Sequence, residues 1–416
     1  MRILFLTENF PPETNAAATR VFERAVYWVE AGHSVTVITS APNFPHGKIY
    51  AGYRNRWHQT ETRDGIRVVR VKTFMAPNEG VVGRTLDFVS FMASGVAGGL
   101  LEARPDVVIA TSPQFFAAVG GWMLGALRRV PFIFELGDLW PASVVAVGAM
   151  KPSLPLRWME KLELFLYRRS AAVVALTSAF KRNLIGRGID PAKIAVVING
   201  VDLRRYEPRP RDRELSAQWG VDEKFVVGYI GTLGMAHGLL NVLDAAERLR
   251  DHDAIRFVLV GPGAERAALM AEAERRRLTN VLFLAQQPKE MMPRAWSLCD
   301  VALIHLKNSP TFAEVIPSKM FEAMAMGLPL LVAAPAGEAS AITEAEKCGL
   351  HVPAADPEAL AAATLTLWRQ PDLRRTMALA ARSAAPRYSR ERQARDMARV
   401  IAAVVAGDGT PAAALA

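Results

Sequence analysis

Short apolar runs alternate with stretches of helical period along the whole chain. Ile3–Leu6, Val35–Ile38, Val68–Val71, Val107–Ala110, Pro131–Phe134, Ala172–Leu176 and Ile194–Ile198 read as strands of a first half. Phe225–Ile230, Phe257–Val260, Val281–Leu284, Val301–His305 and Pro329–Ala333 read as strands of a second. Runs with no polar alternation are buried on both faces, which is the signature of parallel sheets covered by helices on each side. Two such sets in series predict an α/β protein of two doubly wound, Rossmann-like domains. The turn-rich stretch Asn199-Gly200-Val201-Asp202, followed by Arg204 to Pro210, marks the linker. The expected division is 1–200, an acceptor-binding domain; 201–385, a donor-binding domain; 386–405, a last helix returning to the first domain; and 406–416, a frayed tail. Ligands of open α/β sheets sit outside the carboxyl ends of the strands, so the site is expected in a cleft between the two facing domains.

Phe88 to Leu101 is uncharged but too short to span a bilayer, and Gly95, Gly98 and Gly99 weaken it as a free helix. It reads either as a core helix or as a face that touches lipid. Two cysteines, Cys299 and Cys348, argue against a disulfide scaffold and suit a reducing, cytoplasmic compartment. The apolar N-terminus is too brief for a signal peptide. Of the net charge of +9, residues 1–200 carry 23 Lys+Arg against 15 Asp+Glu. A basic first half next to a nearly neutral second half points to an anionic partner: the inner face of a membrane, or a diphosphate-bearing acceptor. No aromatic-interleaved basic motif supports nucleic acid.

Candidate chemistry falls just after strands. Glu314-Val-Ile-Pro-Ser-Lys319-Met-Phe-Glu322 places two carboxylates eight positions apart around a turn that opens a helix. Backbone N–H groups at a helix start and Lys319 favour a diphosphate, and the glutamates can accept hydrogen bonds from sugar hydroxyls. A surface helix with an ordinary charge pattern fits the same spacing. Gly228 to Gly238 is a glycine-rich loop. A dinucleotide fingerprint would want an acidic residue ending the next strand, but Phe257–Val260 runs into Gly261-Pro262-Gly263, which argues against NAD. Asp138, with Glu135 behind it, ends a first-half strand, as a substrate acceptor or a helix N-cap. Asn15, Ala16, Thr19 and Arg20 follow the first strand, as a ligand-facing loop or a plain capped helix start. Asp251-His252-Asp253 precedes its strand and reads as a turn. The histidines lack zinc spacing, and Trp296 reads as core.

As a set, these features resemble the GT-B glycosyltransferases of family 4, which transfer sugars with retention. The signatures are Pro11-Pro12-Glu13, Ala31-Gly32-His33, Asn199-Gly200-Val201-Asp202, the Gly231/Gly238 loop and Glu314-x7-Glu322. Pro42 to Lys48, Gly137 to Pro141 and Pro317-Ser318-Lys319 are similar to bacterial enzymes that add amino-deoxy sugars, such as N-acetylfucosamine, in O-antigen, capsule or exopolysaccharide assembly. The resemblance implies that Glu322 holds the ribose and Glu314 faces the donor sugar. It implies that Ile316, Pro317 and Ser318 line the diphosphate, that Gln286, Gln287 and Pro288 border the base, and that Asp138 touches the donor sugar. Thr232 and His237 stand where relatives keep two cations, and Ala16 to Ala18 replace a glycine pair. Lys319 is then the candidate replacement cation. The implied partners are a nucleoside-diphosphate sugar, with UDP as the implied nucleotide, and a lipid-linked or oligosaccharide acceptor, with no metal or other cofactor. An epimerase of the same fold and a non-catalytic nucleotide-sugar sensor are the alternatives.

Overall fold

Strand β1 (Arg2–Leu6) has no polar side chain after its first residue, and it lies mid-sheet where both faces are covered. Around it run β2 (Ser34–Ser40), β3 (His58–Arg63), β4 (Ile66–Val71), β5 (Val107–Thr111), β6 (Phe132–Leu136), β7 (Ala172–Ala175) and β8 (Ile194–Val196), in the order β3-β4-β2-β1-β5-β6-β7-β8. The second sheet holds β9 (Phe225–Ile230), β10 (Ile255–Val260), β11 (Val281–Leu284), β12 (Val301–His305), β13 (Leu330–Ala333) and β14 (Gly349–Val352), ordered β11-β10-β9-β12-β13-β14 and parallel throughout. The structure, a computed structural model, describes residues 1–44, 46–76, 81–112, 114–139, 153–407 and 410–415. Pro45, Trp140 and Pro141 of the motifs quoted above lie outside the described residues. Two units result, Met1–Asn199 with Arg390–Ala416, and Gly200–Ser389.

The helices of the first unit are α1 (Ala16–Glu30), α2 (Val81–Leu101), α3 (Phe115–Arg128), α4 (Leu154–Arg169) and α5 (Ser178–Gly186). Those of the second are α6 (Arg213–Trp219), α7 (Leu240–Arg248), α8 (Arg266–Arg275), α9 (Met292–Trp296), α10 (Pro310–Ala313), α11 (Lys319–Ala325), α12 (Glu338–Ala345), α13 (Pro357–Arg369) and α14 (Pro371–Ala384). Helix α15 (Arg390–Ala406) packs beside α1 on one face of the first sheet, where Trp28 Nε1 donates to the Ala394 carbonyl at 2.9 Å. Ala385–Tyr388 stay with the second unit as a 3-10 turn, Tyr388 stacked on Phe321 at 4.8 Å. The tail, expected to fray, instead makes a 3-10 turn at Ala413–Leu415, and Ala412 N donates to the Ala192 carbonyl at 3.2 Å.

Helices α2 and α3 cover the other face of the first sheet, and glycines set how closely. A Cβ on Gly98 would lie 2.7 Å from Val71 Cγ1, and one on Gly99 would lie 2.4 Å from Leu124 Cδ2. The glycines read from sequence as weakening α2 are its points of closest packing. Two strands were not visible as apolar runs. Strand β3 is HQTETR, an antiparallel edge with alternating exposure, joined to β4 by Asp64-Gly65, both at positive φ. That dipeptide is a standard two-residue hairpin turn and was the available signal. Strand β14 is four residues long and interrupted by His351.

Gly121 of α3 tests the packing directly, since its Cβ would meet Ala110 Cβ at 2.7 Å and Phe132 Cε2 at 2.8 Å. Gly121→Ala is expected to destabilise by about 1–3 kcal/mol despite the better helix propensity of alanine. Gly186→Ala, with nothing within 4 Å of the added Cβ, is expected to be neutral or stabilising by up to ~1 kcal/mol. Urea unfolding midpoints of the two variants check the contrast.

Candidate functional site

All six strands of the second sheet run the same way, so the segments leaving β9, β10, β11 and β12 gather along one edge. Two of those segments interlock. Leu233 N donates to the Pro262 carbonyl at 2.7 Å, and Glu265 N donates to the Leu233 carbonyl at 3.0 Å. Gly231 and Gly261 have φ of +147° and +143°, a region that L side chains rarely adopt, and a Cβ on Gly261 would strike the Gly231 carbonyl oxygen at 2.1 Å. The glycines thus serve close backbone approach.

Lys319, first residue of α11, reaches under this loop. Its Nζ lies 3.5 Å from the Tyr229 ring centroid, and a Cβ on Gly231 would meet that Nζ at 2.7 Å. The nitrogen is buried and has no hydrogen-bond partner among the described residues. Burial pulls the ammonium down from its usual range to about 7, opposed only by the charge of Glu322. The Tyr229 π face gives it partial compensation, and the Tyr229 hydroxyl is turned away to donate to the Thr232 carbonyl at 2.7 Å.

Two histidines complete the surroundings. A carbonyl oxygen only accepts, so His305 Nδ1 donates to the His237 carbonyl at 2.6 Å and His237 Nδ1 donates to the His305 carbonyl at 3.3 Å. Asn241 Nδ2 then donates to His305 Nε2 at 2.9 Å. Burial first, with Lys319 adding to it, lowers His237 to about 3; burial likewise lowers His305 to about 4. Both rings are neutral near pH 7. His237 therefore clamps the loop to β12 and does not replace a cation, and Thr232 is exposed. Tyr229, Asn241 and His305 were not singled out from sequence; their apolar-strand or helix positions gave no signal.

Glu322 sits one turn after Lys319, half-buried, and Trp296 Nε1 donates to its Oε2 at 3.2 Å. Trp296, read from sequence as core, is buried but also orients this carboxylate. Glu314 closes α10, and Ile316, Pro317 and Ser318 form the half-buried turn between it and Lys319. Helix α11 has only seven residues, and Ser318 makes no side-chain cap, so the lysine, more than the helix end, defines the site. Gln286, Gln287 and Pro288 follow the edge strand β11 on the same carboxyl side of the sheet.

The first unit shows a different pattern. Asp138 follows β6, where Ser112 Oγ accepts from Gly137 N at 2.8 Å and from Asp138 N at 3.3 Å. Glu135 does not face a substrate. It is fully buried in β6 and accepts from Arg24 Nη1 and Nη2 at 2.8 and 2.7 Å, with Arg20 Nε 3.4 Å away. Burial would raise this carboxyl, but Arg24 and then Arg20 outweigh it and hold it at about 2. Arg20 is accordingly not on a ligand-facing loop. It is buried in α1, where it also donates to Thr111 Oγ1 at 2.8 Å. Asn15 is the α1 N-cap, its Oδ1 accepting from Ala18 N at 2.9 Å. Ala16 is exposed and Thr19 half-buried in the first turn. Glu13 accepts from the N–H groups of Phe10, Asn43 and Phe44, which ties Pro11-Pro12-Glu13 to the Pro42 segment. Asp251 to Asp253 form the turn before β10, with the His252 ring against Trp368 at 5.6 Å.

Residues 211–384 match the glycosyl transferases group 1 family, and residues 15–200 match the glycosyl transferase 4-like domain. The chain thus carries a glycosyl transferase 4-like domain followed by a glycosyl transferases group 1 domain, and its fold is that of two Rossmann-like α/β domains with GT-B structural neighbours. A protein of Escherichia coli named as a colanic acid biosynthesis glycosyl transferase is 26% identical over 337 residues, 79% of this chain and 82% of its own. A GDP-mannose-dependent alpha-mannosyltransferase of Mycobacterium tuberculosis is 28% identical over 361 residues, 86% of this chain and 85% of its own. Among solved structures, HepE of Anabaena in complex with UDP-glucose superposes with a TM-score of 0.74 at 20% identity, covering 97% of this chain and 100% of that one. Sucrose-phosphate synthase of Thermosynechococcus elongatus gives 0.78 at 18%, covering 98% and 100%.

Two measurements follow from the charges. Glu135→Leu leaves two buried guanidinium groups without their carboxylate and is expected to cost about 3–5 kcal/mol in chemical denaturation. Lys319 binds its proton more weakly folded than unfolded, with values of about 7 against 10.5. Between those pH values the unfolded chain holds a proton that the folded chain lacks, so stability from this group climbs as pH rises through the window. Lys319→Met is expected to flatten that slope and to raise the thermal midpoint at pH 6. Identical slopes for the two proteins would exclude a buried cation.

Proposed function

We propose that this protein transfers a sugar from a nucleoside-diphosphate sugar to a hydroxyl of a lipid-linked or oligosaccharide acceptor, with retention of configuration, in surface polysaccharide synthesis. The observation that carries this is the buried, unpartnered Lys319 Nζ beside Gly231 on the carboxyl edge of the second sheet. An unpaired cation in such a place is costly until an anion joins it. A donor diphosphate is the anion that the glycosyltransferase domains call for. As the glycosidic bond breaks, charge gathers on the leaving diphosphate, and Lys319 stabilises it where the surroundings are dry. The acceptor oxygen bonds the anomeric carbon on the same face, and its proton passes to the departing phosphate oxygen.

In this reading Glu322, oriented by Trp296, takes the ribose hydroxyls, and Glu314 takes the sugar. Ile316, Pro317 and Ser318 line the diphosphate, and Gln286, Gln287 and Pro288 border the base. Lys319 supplies the positive charge, so turnover is proposed to survive a chelator. UDP is the proposed nucleotide and an amino-deoxy sugar the proposed cargo. The UDP-glucose bound to HepE supports the former, and the mannosyltransferase relatives make GDP the competitor. The lipid-linked acceptor places the protein at a membrane surface, as a peripheral protein.

A thermal-shift panel of UDP-, GDP- and dTDP-sugars tests the donor, because a ligand that binds the folded state raises Tm by mass action. A shift with UDP-sugars, abolished in Lys319→Met, is expected. In the presence of the shifting donor and a lipid-linked acceptor, Lys319→Met is expected to lower kcat about 100- to 1000-fold. No shift with any nucleotide-sugar, or full turnover by the variant, would sink the proposal.

A further inference from the structure

Helix α2 covers the first sheet with one side only. Its outer side carries Val82, Leu86 and Val89, then Leu100 and Leu101, all exposed, with exposed Ala93 and Ala97 between them. That spacing keeps one stripe along the whole helix. Val82 and Leu101, at its two ends, are 75% and 73% exposed, so the stripe is not cut short by a neighbour at either end. Its one acidic residue, Asp87, points the other way and is buried.

The neighbouring helices continue this surface. Helix α3 packs along α2, Arg128 Nη2 reaching the Gly99 carbonyl at 3.3 Å, and exposes Met123 and Leu127 on a helix with no acidic residue. Helix α4 joins α3 through the Trp122–Phe165 edge contact at 5.1 Å. It exposes Leu154, Trp158 and Leu162, again at helical spacing, with Trp158 at 69%. Three adjacent helices therefore present apolar side chains outward, where a water-facing surface would present charges.

On α4, cations lie on the aromatic rings of this face. Lys161 Nζ is 4.9 Å from the Trp158 ring and Arg169 Cζ is 5.6 Å from Phe165. Aromatic belts and long basic side chains at an apolar edge are the arrangement that suits a headgroup boundary. The acidic residues nearby are already engaged, Glu102 by Arg67 and Glu160 by Arg187. Among the described residues no helix is long and apolar enough to cross a membrane. A second copy of this chain docked about a twofold axis would set these cations against one another, which disfavours self-association.

We propose that the α2–α3–α4 face of the first unit docks on a bilayer of anionic phospholipid, its apolar stripes entering the acyl boundary and its arginines and lysines meeting the phosphates. This deepens the peripheral reading given above and is independent of the donor chemistry at Lys319.

Full-length protein is mixed with vesicles of phosphatidylcholine, with or without phosphatidylglycerol, at low and high salt, and co-sedimentation is measured. Binding to the phosphatidylglycerol vesicles, weakened by salt, is expected. Lys161→Glu combined with Arg169→Glu is expected to reduce partitioning by about tenfold or more. Leu101→Glu combined with Leu127→Glu is expected to reduce it as well, while the donor-induced thermal shift of both variants stays that of the wild type, which shows that they fold. Absence of wild-type binding at low salt, equal binding to neutral vesicles, or unchanged binding by the variants overturns the proposal. So does a dimer in sedimentation velocity that the leucine variants dissolve while no vesicle is bound. Vesicle binding without any donor shift leaves the docking face standing and removes only the donor reading.

Discussion

The ammonium of Lys319, shut beneath a glycine-rich loop without an acceptor, is the constraint around which the second unit is organised. Holding it there takes glycine at 231, an aromatic face at Tyr229, and a loop stiff enough to leave the space. The stiffness comes from the paired carbonyl bonds of His237 and His305 and from the Pro262 segment woven through Leu233. A charged histidine in either position would repel the lysine, and burial keeps both neutral. On the proposed reading, the free-energy cost of the unpaired cation is what a pyrophosphoryl group relieves on binding. In this view, binding affinity and charge stabilisation in the transition state draw on the same buried nitrogen.

The first unit solves its buried-charge problem in the opposite way. Glu135 meets Arg24 through two short bonds and Arg20 through a third contact, so no charge waits for a ligand. The same helix carries Glu23, which meets Arg390 at 3.1 Å and so ties the returning α15 to α1. Buried cations matched by a carboxylate in contact are expected of scaffold, and a buried cation in contact with none is expected of a binding site. By that criterion the polar interior beneath β6 is scaffold, whereas the edge beyond β9 and β12 is the candidate site.

Much of this architecture was legible as apolar runs, because strands buried on both faces need continuous hydrophobicity. Strand β3 was not, since an exposed antiparallel edge needs none, and β14 was too short to register. Glu314, Lys319 and Glu322 were visible as a spacing around a turn. Tyr229, Asn241 and His305 were hidden, because a polar or aromatic residue at the end of an apolar run looks the same whether it packs or positions. Glu135 and Arg20 misled for a related reason. Sequence gives a charge its place after a strand or before a helix, but only the fold shows whether another charge has already claimed it.

Helix α2 shows why a choice between core and lipid was the wrong question to put to its sequence. A helix whose inner side is glycine and whose outer side is valine and leucine meets both demands at once. Glycines at 95, 98 and 99 bring its axis close to the sheet, so the core is filled by strand side chains and by Leu124. That releases the larger aliphatic side chains from core duty. Their outward placement is then a property of the sequence that burial does not require, and an uncharged stripe kept over the whole length of α2 has no structural role in the isolated unit. The cations of the neighbouring α4 lie on its own exposed aromatic rings and the sole acid of α2 is turned inward, which is the pattern that the proposed bilayer contact needs.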